Sequence, residues 1–164
     1  MAVTETVHTA WQANQKVNLL LLQHLDEDML KAVTPGGGYS VAQHLAHMVC
    51  TVKYWGCYVD ESLNNLPDLF YNYNDDTDEF QAVTDLEQIT RVMLETLERA
   101  YSLVNTIDTM GEAPYLTADA YLIHMMVHDA HHRGQILLAL KTSGYTLPDE
   151  GSFWMPWKIA TSTS

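Results

Sequence analysis

The stretch "TADAYLIHMMVHDAHHRGQILLALKTSG", residues 117–144, is helical in pattern from end to end. At spacings of three and four its residues fall into three adjacent stripes. The first is Tyr121, Met125, His128, His132, Gln135 and Ala139; the second is Leu122, Met126, Asp129, Arg133, Ile136 and Leu140; the third is Ile123, Val127, Ala130, Gly134 and Leu137. The second and third are largely apolar, so the spacing predicts a helix over 117–142 that is buried on more than one side and stops near Gly144. Such a helix needs other helices around it, and the rest of the chain has to supply them.

Residues 3–30 carry an apolar stripe of Val3, Val7, Ala10, Val17 and Leu21, broadened by Trp11, Leu22 and Leu25, which predicts a first helix. The glycines of "TPGGGYS" lack the Gly-Lys-Ser/Thr of a phosphate loop and read as a connector. A capping box at Ser40–Gln43 opens a second helix predicted to reach about Leu63. A similar pattern at Thr84–Glu87 opens a third, with Leu86, Met93, Leu97, Ala100, Val104 and Ile107 on one face. Between them lies "NNLPDLFYNYNDDTDEFQAV", residues 64–83, too long and too irregular for a tight link, so it is expected to cross along the helices. Its cluster Asp75, Asp76, Asp78 and Glu79 lacks calcium-loop spacing and reads as solvated charge. No segment shows a convincing strand pattern, and the expected fold is all-α, a four-helix bundle with a long crossover between helices 2 and 3.

The 164 residues suit one domain, spanning 1–164, which can bury a core without disulfides or a structural metal. Eight Lys and Arg stand against 21 Asp and Glu, a net charge of −13 that repels a phosphate backbone, so no nucleic-acid partner is expected. No run approaches the roughly 18 apolar residues that span a bilayer, and "MAVTETVHTAW" has no secretory pattern. The chain is therefore expected in the cytoplasm, off the membrane. Cys50 and Cys57, on one predicted helix, are separated by about 10.5 Å along its axis and read as free thiols.

The chemistry concentrates in "HDAHHRGQ", residues 128–135. His128 and His132, four apart, stack on one helix face at a spacing suited to metal ligation. A catalytic metal takes three protein ligands and keeps a position open, and the second helix offers His44 or His47 as the third. The pattern H-D-x-x-H also mimics the zinc-protease motif, but Asp129 is a methylene shorter than the usual glutamate and no histidine follows residue 132. Whether Asp129 instead orients an imidazole stays open at this level. Cys50, three residues after His47, could add a fourth ligand, but reads better as a small core residue. The aromatic tail "SFWMPWK" is expected to pack on the end of the helices.

"SVAQHLAHM" opening the second helix, "HDAHHRGQI" in the last helix with its Gly-terminated end, and the long second link together resemble the DinB/YfiT-like family over roughly residues 5–145, with 146–164 as a C-terminal tail. The resemblance implies an up-down-down-up bundle and a divalent metal, nickel or zinc, held by three histidines. The family's opening ligand falls on His47 rather than His44, and the other two on His128 and His132. His124 and His131 do not fit ligand positions. Arg133 and Gln135 are expected to donate hydrogen bonds between helices.

Such a site, with a vacancy, lowers the pKa of a bound water or thiol and presents it to an electrophile. The resemblance therefore implies a metal-dependent thiol S-transferase, possessing a low-molecular-weight thiol partner, or a hydrolase acting on a small-molecule electrophile. A non-catalytic, stress-related metal or small-ligand binding bundle is the alternative. A homodimer through an apolar helix face is expected in either case.

Overall fold

The computed structural model describes residues 3–74, 79–106 and 114–158. Four long helices dominate: α1 (Glu5–His24), α2 (Val41–Gly56), α3 (Leu86–Thr106) and α4 (Ala118–Thr142). A short α5 (Glu150–Phe153) follows. The chain is thus mostly helical, but the crossover holds an antiparallel hairpin of β1 (Phe70–Asn74) and β2 (Glu79–Ala82), which corrects the expectation of an all-helical chain.

The hairpin escaped sequence reading because its alternation is broken. A bulge falls between Tyr71 and Tyr73, where Asn72 takes φ 45°, a left-handed conformation that asparagine tolerates better than most side chains. Phe70 pairs with Ala82, and the Val83 N–H continues the ladder to the Leu69 carbonyl. The hairpin lies against α2, where the Gln43 amide donates to the Phe80 carbonyl. Asp75, Asp76 and Asp78 of the acidic cluster, the Glu79 side chain, and Ile107 of the third-helix stripe lie outside the described residues.

Three helix ends differ from the periodic reading, each for a local reason. α1 stops at His24 rather than near residue 30, because the acidic run Asp26–Asp28 opposes the negative end of the helix dipole, and Asp26 caps the Met29 N–H to start a 3₁₀ turn at Met29–Lys31. α3 is capped by Asp85, whose side chain accepts from the Gln88 N–H, one residue later than the Thr84 box. α2 opens at the predicted Ser40–Gln43 capping box, with both of its bonds made. It ends at Gly56 rather than at Leu63, where the chain folds back so that Leu63 packs on the glycine. α4 runs as read, with Thr117 as N-cap, and closes in a Schellman arrangement: Tyr145 N–H to Leu140 O, Gly144 N–H to Lys141 O, and Gly144 at φ +82°.

The core is drawn from all four long helices: Val17 and Leu21 of α1, Leu45, Met48 and Val52 of α2, Ile89, Met93 and Leu97 of α3, and Leu122, Met125 and Ile136 of α4 are buried together. α4 buries its first two stripes only. Its third, expected inside, faces outward, with Ile123 47% and Val127 62% exposed. The tail folds back over this side, where Phe153 joins the core and the half-exposed Trp154 and Trp157 line a groove of about 390 Å³ beside Met126 and Val127.

Gly56 is the tightest of these constraints, since a Cβ there would stand 2.4 Å from Leu63 Cδ1 and 3.1 Å from the Tyr121 hydroxyl. Alanine would gain helix propensity of about 0.5–1 kcal/mol, but overpacking a buried site costs about 1–3 kcal/mol. Gly56→Ala is therefore expected to lower the urea unfolding midpoint, and an unchanged or raised midpoint would show that Leu63 yields freely.

Candidate metal centre

α2 and α4 pack against each other, and the face of each that meets the other carries the histidines. On α2, His44, His47 and Thr51 follow at intervals of three and four; on α4, His128 and His132 are one turn apart. His47, His128 and His132 each offer a ligating atom, and these atoms all lie within 4.8 Å of one another. The Nε2 atoms of His128 and His132 are 3.1 Å apart. Four donors around a metal at about 2.1 Å are separated by about 3.4 Å in a tetrahedron, so this pair already has nearly ligand-like spacing. His132 is buried, and His47 and His128 are half-buried.

Burial pushes every one of these imidazoles toward its neutral form. His132 falls to about 3, from loss of solvation first and then from the neighbouring His128, His47 and His44. His128 falls to about 4, again by burial and then by His47, and His47 is lowered by burial and by His131. At neutral pH the three rings keep free lone pairs, the form a metal requires. Two neutral Nε2 atoms 3.1 Å apart cannot both aim lone pairs at each other, so without a cation one must carry its proton there. The donor set fits a divalent transition metal.

His44, the alternative ligand, stands behind the centre. Its Nδ1 lies 2.9 Å from His132 Nδ1, so one of the two donates to the other. With His132 using Nε2 toward a metal, its Nδ1 carries the proton and His44 accepts, the role a carboxylate or carbonyl usually has behind a ligand imidazole. Burial lowers His44 to about 4 and keeps it a neutral acceptor. Sequence reading left this role open because His44 and His47 share one helix face, and only the packing of α4 separates them.

The remaining candidates are placed as follows. Asp129 does not touch the histidines: it is wholly buried on the α1 side, where its Oδ2 accepts from Asn14 Nδ2 at 2.8 Å and Asn18 Nδ2 at 2.7 Å. Arg133 donates to the side-chain Oδ1 of Asn18, so its expected interhelical bond is made. Gln135 is half-buried and makes no such side-chain bond among the described residues. His131 is exposed, with its ring against His132, and His124 bonds the Tyr115 hydroxyl at 2.5 Å. Cys50 is exposed, which corrects the expectation of a core residue, and it is not part of the ligating group.

Sequence reading missed Thr51, whose Oγ1 is 3.3 Å from His128 Nε2 and 3.5 Å from His47 Nε2. It also missed Asn14 and Asn18. The available signals were a threonine four residues after His47, and two asparagines four apart on an otherwise apolar helix face.

A family model described as the DinB family matches residues 1–158. A crystal structure of a DinB-like protein from Bacillus cereus ATCC 10987 aligns with a TM-score of 0.58 at 18% identity, covering 88% of this chain and 95% of that one, a likeness of fold. None of the curated proteins matches.

Two measurements test the electrostatics and the outer support. In the unfolded chain these histidines titrate near 6.5. Below that pH the unfolded state therefore binds protons that the folded state, with His44 and His128 near 4 and His132 near 3, does not. Stability of the metal-free protein should fall as pH drops from 6.5 toward 4, because ∂ΔG/∂pH is positive wherever the unfolded state holds more protons. Urea midpoints at pH 7 and pH 5 measure this, and a flat profile would refute it. Second, His44→Phe removes the acceptor behind His132 and should weaken zinc binding by roughly 10–100-fold, as loss of such partners does. Chelator competition yielding wild-type affinity would show that His44 only fills space.

Proposed function

The chain belongs to the DinB family, and from that membership we propose that His47, His128 and His132 hold a divalent metal, nickel or zinc, as the working centre of a metal-dependent enzyme. The observation that carries the reading is the convergence of three imidazole nitrogens within 4.8 Å of one another, from two helices. Cys50 stays outside the group, which favours an open fourth position over a closed structural site. A bound metal would supply Lewis acidity to a water or thiol at that position. The chain's own part is to keep three imidazoles neutral by burial, to hold His132 in one tautomer through His44, and to place Thr51 beside the donors.

The reaction that suits this arrangement is attack by an activated thiol or water on a small electrophile, a thiol S-transferase or a hydrolase. No described helix is long and apolar enough to cross a membrane. A cytoplasmic setting fits the two free cysteines, and we read the four long helices as an up-down-down-up bundle within one domain. The outward stripe of Ile123 and Val127 offers the apolar face that a homodimer needs.

Metal analysis of the purified protein is expected to give about one divalent ion per chain, and the ion should be lost in a His47/His128/His132 triple replacement. With metal bound, consumption of a small thiol by a panel of electrophiles should vanish in His128→Ala. Stoichiometric metal with no thiol transfer or hydrolysis against any of the panel would favour the non-catalytic binding bundle. Wild-type protein that takes up no metal would refute the centre itself.

A further inference from the structure

Thr51 lies in the middle of α2, one turn after His47 and facing α4. It is 8% exposed, so its hydroxyl must find a partner within the protein. A threonine inside a helix ordinarily turns that hydroxyl back onto the carbonyl three or four residues earlier. Thr142 does so on α4, donating to the Leu138 carbonyl at 2.8 Å. Thr51 instead turns to two imidazoles, His128 Nε2 at 3.3 Å and His47 Nε2 at 3.5 Å.

A consequence follows from the donor atoms alone. The nitrogens that partner Thr51 are the ones expected to ligate. Once their lone pairs are committed to a cation, Oγ1 loses both partners while remaining buried, and an unpaired buried hydroxyl is costly. The hydroxyl then becomes available to an exogenous ligand at the position that a three-histidine metal would leave open. The hydroxyl itself is a poor candidate for that position, since protein sites for these metals draw on Cys, His, Asp and Glu.

We propose that Thr51 is the residue that binds and orients the exogenous ligand of the centre, a small anionic or ionisable nucleophile such as hydroxide or a thiolate. Its O–H donates to the bound anion, and its oxygen accepts from the ligand when that is protonated water. The bond fixes which lone pair of the nucleophile faces the entering electrophile. This inference rests on the three-histidine reading of the centre and deepens it by assigning the ligand's partner.

The test uses the full chain loaded with Co²⁺, with azide as a probe anion followed by visible absorption, and Co²⁺ affinity measured separately by chelator competition. Thr51→Val keeps the side-chain shape and should bind Co²⁺ as the wild type does, while azide binds roughly tenfold or more weakly, the scale of one hydrogen bond to a charged group. Thr51→Ser restores the hydroxyl and should restore azide affinity. Thr51→Ala serves as a second hydroxyl-free variant should the valine perturb the fold. Unchanged azide affinity in the valine and alanine variants overturns the proposal. A loss of Co²⁺ affinity with azide binding intact also overturns it, by making Thr51 a metal ligand. Wild-type protein that binds no Co²⁺ removes the three-histidine reading and this inference with it, an outcome distinct from the other two.

Discussion

The carboxylate of Asp129 is the constraint on which the rest of the structure turns. A charge with no solvent access is tolerable only where partners surround it, and here Asn14 and Asn18 of α1 both donate to one of its oxygens. Asn18 is bonded on both ends of its amide, giving to Asp129 and accepting from Arg133, so a single side chain couples the carboxyl group to the guanidinium one turn away on α4. Burial raises the pKa of Asp129, and the same three neighbours oppose that rise. Apolar burial is non-directional, whereas this network fixes the rotation of α4, because turning the helix would strand buried polar groups.

The rotation of α4 in turn decides what the histidines meet. Successive residues on a helix are separated by about 100°, so with Asp129 held against α1, His128 and His132 swing toward α2. There they meet a face built at the same period, with His44, His47 and Thr51 presented to them. The centre therefore belongs to neither helix alone. Crossings between packed helices are where such sites are built, because each helix contributes residues at a fixed rise and only their relative rotation must be set. α1 sets it here without touching the centre.

What the sequence made legible follows from this division. Intervals of three and four within one helix were readable, and with them the long helices, the cap at Ser40–Gln43, the Gly144 stop, and the pair His128 and His132. The choice of His47 over His44 was not readable from spacing, since both sit on the face toward α4, and the family pattern had to supply it. The direction of Asp129 was likewise hidden, because one residue's offset from His128 places it on another helix's side, and only Asn14 and Asn18 reveal which. The outward turn of Ile123 and Val127, the exposure of Cys50 and the hairpin at Phe70–Ala82 are tertiary outcomes. Apolar periodicity says that a stripe prefers burial, and it does not say how many neighbours the fold provides.

The separation of charge across α4 bears directly on the chemistry. The nearest buried carboxylate is Asp129, and it faces α1 with its bonds to the asparagines. The three histidines proposed as donors are uncharged imidazoles, so none of them would neutralise a divalent cation. A divalent cation held there would not be neutralised by its ligands, and would act more strongly on a bound water or thiol than it would beside a carboxylate ligand. The chain's net charge of −13 raises the local concentration of cations around the protein. Facing α1, Asp129 orients the helix that carries His128 and His132 and would add no charge to the proposed centre.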